Sequence, residues 1–222
     1  MGVKRENNSF YTALGDSISV GVRARNPSHG FVQRYAARSE EVLGKSYHVH
    51  NFAVNGFTTE DVLYGLAEGK VKDAVIQSEI ITISAGGNDL LKAGKRYLLR
   101  KDEAGLARTV AQCRQNMTDI VQHIRALKEN SCHRYMIRLL NMYNPYRKWD
   151  IAHRWIRHFN EMMLMYNKVN HVKVVDLYTP FLQRERELLS WDSIHPNEEG
   201  HDVIAEAVFR SGYRELRSRK RR

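Results

Sequence analysis

A chain of 222 residues is long enough for one domain with its own core and short for two. Its 42% hydrophobic and 27% charged residues, four prolines and fourteen glycines exclude collagen-like and disordered classes, and no run of about eighteen uncharged apolar residues exists to cross a bilayer. Net charge is +10, but residues 214–222 (RELRSRKRR) hold six bases and one acid, so half of the excess is terminal.

The first predicted strand, 10–14, runs into Gly15-Asp16-Ser17, which puts a serine at the carboxyl edge of a sheet. A second, 47–52, leads into Ala53-Val54-Asn55-Gly56, and Thr58 with Asp61 three residues on has the form of a helix N-cap with an acidic first turn. The third, 79–85 (EIITISA), is nearly continuous in β-branched residues and reads as the central strand. After it stand Gly86-Gly87-Asn88-Asp89 and a concentration of bases at Lys92, Lys95, Arg96, Arg100 and Lys101. Leu106, Val110, Cys113, Met117, Ile120, Val121, Ile124 and Leu127 recur at three and four residues, the spacing of a helix with one buried stripe. A fourth strand, 134–141, precedes Tyr143, Tyr146 and a helix over 149–168. The fifth strand, 172–176, is followed by Asp192-Ser193-Ile194-His195-Pro196 and a last helix over 199–211. Strands alternating with helices, without repeat or linker, predict one doubly wound α/β domain over 1–213 with ligands beyond the carboxyl ends of its strands, and a basic tail over 214–222.

A serine hydroxyl is a poor nucleophile until a base takes its proton, and that base must be held in one tautomer by a third group. Asp192 and His195 supply both: three residues of separation in a turn let the carboxylate fold back onto Nδ1 and leave Nε2 to face Ser17. Acyl transfer also needs donors aimed at the developing oxyanion. Gly56 has no side chain to block its N–H, and Asn88 carries an amide N–H₂. Each also has a plainer reading, a glycine turn for the first and a helix N-cap for the second.

Taken together, GDSISVG at 15–21, NFAVNGFTT at 51–59, AGGNDLL at 85–91 and DSIHPNEEGH at 192–201 resemble the SGNH or GDSL hydrolases. Ser17, Gly56, Asn88 and His195 match the four signature positions in order, and Asp192 the third triad member; Ile18 stands where the family's short name has Leu, a volume-conserving change. The resemblance implies a five-stranded parallel sheet in flavodoxin-like order within a three-layer sandwich, hydrolysis through an acyl-serine, an oxyanion hole of Ser17, Gly56 and Asn88, and no metal or organic cofactor. YTALGDS, GFVQRY, GNDLL, RLLNMYNPY and VVDLY are similar to the spore-germination lipase branch, associated with lipid ester hydrolysis.

Rival chemistries lack their marks. No serine has the Gly-x-Ser-x-Gly of an α/β-hydrolase. His48 and His50 would share one strand face, but two ligands make no metal site; His153, His158 and His201 read as helix-surface residues. Around 142–166, Ile151, Trp155, Phe159 and Met162 or Met163 fall on one face of a helix, while Tyr143 and Tyr146 before it are better placed for substrate. With the basic excess, an anionic amphiphile such as a phospholipid or lysophospholipid is the expected ester, a short-chain or acetylated-sugar ester the alternative. A catalytically inactive fold binding anionic lipid or nucleic acid is the reading of another class; a specific nucleic-acid groove is not expected. Two cysteines, Cys113 and Cys132, without CxxC spacing and an N-terminus without an apolar signal region predict a reducing, cytoplasmic location, with spore association open; oligomeric state is not legible.

Overall fold

A computed structural model describes residues 9–129, 131 and 133–217. In chain order its elements are β1 (Ser9–Gly15), α1 (Ser17–Val20), α2 (Phe31–Leu43), β2 (Tyr47–Asn51), α3 (Thr59–Gly65), α4 (Gly69–Gln77), β3 (Ile80–Ser84), α5 (Gly87–Arg100), α6 (Glu103–Glu129), β4 (Met136–Leu140), α7 (Asp150–Met163), β5 (Val172–Val175), α8 (Tyr178–Phe181), α9 (Glu185–Leu188) and α10 (Glu198–Arg210). The five strands form one all-parallel sheet in the order β2-β1-β3-β4-β5. Strand order reverses between β1 and β3, and at such a switch point the loops leaving the strands diverge and open a crevice.

The pleat divides the core. Ile81 and Ile83 of β3, with Ile137 and Leu139 of β4, meet Val62, Val71, Met117, Ile120 and Phe159 of the helices on one side. Tyr11, Ile80, Met136 and Val175 meet Phe31 and Tyr35 of α2 and Ile204 and Val208 of α10 on the other. Every residue of β3 and β4 is buried, Arg138 included. Its guanidinium is satisfied by a bidentate pair with Glu215 at 2.9 and 3.2 Å, by Ser211 Oγ at 2.7 Å and by the Gly212 carbonyl at 2.6 Å, so the chain after α10 is tied to the central sheet. Residues 218–222 of the basic tail, and Cys132, lie outside the described residues.

All five predicted strands form, each within one or two residues of its expected ends. The stripe read from Leu106 to Leu127 belongs to α6, which runs on at both ends, and the helix expected over 149–168 tightens into a 3₁₀ turn after Met163. Thr58 and Asp61 close a reciprocal capping box at α3. Helix α2 was not expected. Its buried positions are Phe31, Val32, Tyr35, Ala36 and Ser39, and small or polar members of that stripe mute the periodic signal.

His201 is a correction. It is fully buried and not a helix-surface residue, because α10 turns this face onto the start of α2. Nδ1 accepts from the Phe31 N–H at 3.4 Å and Nε2 donates to the Val22 carbonyl at 3.2 Å, a neutral ring's pattern; burial lowers its pKa to about 4. His158 is exposed, and His153 is half-buried against the Tyr178 hydroxyl at 2.9 Å. His48 and His50 lie side by side on the outer strand β2, next to Phe10.

Candidate active site

The crevice floor begins with a glycine. Gly15 has φ +132°, and a Cβ there would lie 2.0 Å from the Ser84 carbonyl oxygen, so only glycine lets β1 pass this close to β3 and turn. Asp16 follows as N-cap of α1, its Oδ1 accepting from the Ile18 N–H at 3.1 Å and the Ser84 hydroxyl at 2.8 Å. Burial pushes this carboxyl up to about 6, against the pull of those two donors. Ser17 is then the first residue of the helix, 7% exposed, with its N–H free of the turn's internal bonds.

Ser17 Oγ lies 3.1 Å from His195 Nε2, and His195 Nδ1 donates to Asp192 Oδ2 at 2.8 Å. The loop that carries the pair is fixed from several sides. Ser193 at φ +56° folds it back, Asp192 Oδ1 accepts the N–H groups of Ile194 and His195 at 3.0 Å each, and the Ser190 N–H donates to the His195 carbonyl at 2.8 Å. Tyr143 donates its hydroxyl to the Ile194 carbonyl at 2.8 Å, and Asn197 caps α10 directly after the loop. With Nδ1–H spoken for by a carboxylate, Nε2 presents a lone pair to the serine, the tautomer proton abstraction requires.

Asp192 has a second partner. Arg23 Nε donates to the same Oδ2 at 2.8 Å, and the guanidinium stacks 4.1 Å from the Trp191 ring centre. Partial burial would raise the Asp192 pKa, but the Arg23 donor and the His195 and Ile194 donors outweigh it and hold the carboxyl well below the usual range. Arg23 and Trp191 were not among the residues expected from sequence. The left-handed backbone of Arg23, φ +73°, aims it across 169 positions, and nothing in the local sequence signals that.

The loops after β2 and β3 reach the same end of the sheet as Ser17, where Asn55 and Asn88 line the cleft and Gly56 does not. Asn88 is the second residue of α5, not its N-cap, which is Gly86. A Cβ on Gly86 would come 2.7 Å from Phe159 and Met142, so glycine also governs this turn. Asn88 Nδ2 donates to the Phe57 carbonyl at 2.9 Å and carries a second N–H; Asp89 takes the Thr59 N–H at 3.0 Å and hydroxyl at 2.8 Å. The loop after β2 is thereby locked to the start of α5. Gly56, φ +91°, stands exposed in that loop, and its neighbour Asn55 reaches the cleft wall beside Ser17 and Asn88.

From this polar end a cleft of about 430 Å³ extends between α5 and α7, walled by Leu91, Leu98, Met142, Ile151, Trp155 and Ile156. Tyr143 and Tyr146 also line it, although the Tyr143 hydroxyl is engaged by Ile194 and its ring stacks on Phe181. The apolar face read on α7 is thus divided: Phe159 and Met163 are core, whereas Ile151 and Trp155 face the cleft. Among the described residues no three His, Cys, Asp or Glu side chains gather as a metal site would require, and no helix is long and apolar enough to cross a membrane.

Residues 13–203 match the GDSL-like Lipase/Acylhydrolase family. The chain is 37% identical to the spore germination lipase LipC of Bacillus licheniformis over 206 residues, 93% of this chain and 97% of that one. The crystal structure of the lipase Lip_vut3 from a goat rumen metagenome superposes with a TM-score of 0.91 at 37% identity, covering 95% of this chain and all of that one. An acetylxylan esterase from Geobacillus stearothermophilus, 21% identical over 96% of this chain and 100% of its own, shares the fold with a TM-score of 0.69.

Proposed function

The chain belongs to the GDSL-like lipase/acylhydrolase family and is a carboxylic ester hydrolase; within that family we propose that Ser17, His195 and Asp192 are its catalytic residues and that lipid-type esters are its substrates. The relay Ser17 Oγ, His195 Nε2, His195 Nδ1, Asp192 Oδ2, with steps of 3.1 and 2.8 Å, carries the proposal. His195 takes the Ser17 proton as Oγ attacks the ester carbonyl, and Asp192 stabilises the imidazolium. The N–H groups of Ser17 and Gly56 and the free N–H of Asn88 meet the oxyanion. His195 then protonates the leaving alcohol, and in a second half-reaction activates water against the acyl-serine.

The wall chemistry supports a lipid-type acyl group over an acetyl group, because six apolar side chains run along the cleft away from Ser17 and an acetyl group would leave them wet. Tyr146, stacked on Trp149 at the mouth, is the residue we assign to substrate contact, with the Tyr143 ring behind it. The basic excess supports encounter with ester presented at an anionic surface, and the name of the Bacillus licheniformis relative supports a spore context.

A fluorescent organophosphonate tests the chemistry: labelling is expected in the wild-type chain and none in Ser17→Ala, with hydrolysis of p-nitrophenyl esters falling by about 10⁴–10⁶ in the same variant. Equal labelling of both proteins would remove Ser17 from the mechanism. On esters of graded length, kcat/KM is expected to rise with the acyl chain, and a maximum at acetate would overturn the lipid assignment.

A further inference from the structure

The outer rim of the cleft sets exposed apolar side chains among exposed bases. Along the last two turns of α5, Leu99 is 85% exposed and Leu98 45%, and across the opening Trp149, just before α7, is 45% exposed. Leu98, Trp149 and Lys95 themselves border the cleft. Leu99 lies one turn from Lys95 and is flanked by Arg96 and Arg100, and all three bases are exposed. None of the three closes an ion pair among the described residues, whereas the nearby Asp102 is matched by Arg108 at 3.0 Å and Glu103 by Arg154 at 2.6 Å. Asp150 is the exposed acid at this rim.

Apolar tips set among unmatched cations suit one kind of surface. An anionic phospholipid layer takes the leucines and the tryptophan into its interfacial region while its headgroups meet the bases. A nucleic acid would satisfy the cations alone and leave Leu99 in water. Because Leu98 and Trp149 of this face also border the cleft, an acyl chain leaving the layer would enter an apolar cleft without crossing water.

We propose that the α5 rim, with Leu98, Leu99, Arg96, Arg100 and Trp149, is a docking face for anionic membrane surface that delivers lipid ester to Ser17, in preference to the basic C-terminal tail. The proposal rests on the lipid-ester reading above, and the assay separates the two. Binding is measured with the full chain carrying Ser17→Ala, by sedimentation with vesicles of phosphatidylcholine alone or mixed with phosphatidylglycerol. Expected is salt-sensitive binding to the mixed vesicles. Since each juxtamembrane cation is worth about fivefold, adding Arg96→Glu, Arg100→Glu and Leu99→Asp is expected to weaken it at least about 25-fold. In the Ser17 background the same triple change should leave hydrolysis of a soluble p-nitrophenyl ester within about twofold, as none of the three residues lines the cleft.

Unchanged vesicle binding in the triple variant overturns the docking face, and so does loss of soluble-ester turnover. A larger loss on changing Arg219, Lys220, Arg221 and Arg222 to Gln would transfer the role to the tail. A single-stranded RNA that binds through the α5 bases and displaces the vesicles would reassign the face to nucleic acid. Absence of soluble-ester hydrolysis by the wild-type chain would sink the esterase reading while leaving the vesicle result to stand alone.

Discussion

The two ends of the cleft are built on opposite terms. At the inner end the charges are matched: Asp192 by His195 and Arg23, and behind it Glu198 and Asp202 of α10 by Arg34 and Arg38 of α2 at 2.6 to 3.0 Å. At the outer end Lys95, Arg96 and Arg100 of α5 close no ion pair among the described residues, and Leu98 and Leu99 are wet. A net charge of +10 therefore describes neither region. Paired cations hold a loop in one geometry, as pre-organised chemistry demands, and unpaired ones leave a surface ready for a partner that is not part of the chain.

The contrast breaks most readily at the inner end. Asn88→Ala is expected to lower kcat by about 10²–10³ with little change in KM, since the amide meets charge that exists only in the transition state. A rise in KM at constant kcat, measured on one soluble ester, would make Asn88 a binding residue instead.

Next in size is Asp16. Its folded pKa is raised to about 6 by burial, so the stability tied to its protonated form is complete below about pH 4 and is lost as pH climbs through 6. Asp16→Asn keeps an acceptor for Ser84 and Ile18 and cannot ionise. Thermal or urea unfolding should show it more stable than wild type by about 2–3 kcal/mol at pH 8, the gain vanishing at pH 4. An equal difference at both values would mean that packing, and not ionisation, sets the effect.

Arg23→Ala should cost about tenfold in kcat/KM, because Asp192 Oδ2 loses one of the two side-chain donors that fix it against His195. The loss is expected in kcat with KM on a soluble ester nearly unchanged, and Arg23→Lys, which keeps a cationic donor, should restore most of it. A fall that Lys does not rescue would leave Arg23 a packing residue under Trp191.

The smallest effect sharpens the comparison itself. Arg34→Ala, which takes one partner from each of Glu198 and Asp202, should lower unfolding stability by about 1 kcal/mol, while Arg96→Ala should leave stability unchanged. Equal losses would show that the two surfaces differ less than their pairing suggests.

Much of this was legible beforehand where the signal is local. Strand β3 announces itself because a strand buried on both faces carries a nearly continuous β-branched run, and α6 because one face of a 27-residue helix repeats at helical spacing. The Asp192–His195 pair was readable for the same reason, a three-residue turn being a local geometry. The misjudged feature depends on a distant neighbour: His201 looks like any polar residue on a helix until α2 covers it.

The sequence by itself determined the alternation of strands and helices, the glycines that let the turns form, and which residue types stand at the sheet's carboxyl edge, because periodicity and backbone freedom act within a few residues. Folding in three dimensions decided that Ser17 meets His195 across 178 positions, that Arg23 shares the Asp192 carboxylate, and that among the described residues the α5 bases close no ion pairs like those of the α2 arginines. Closing loops of that length depends on every core contact at once, so no short stretch of chain carries the answer.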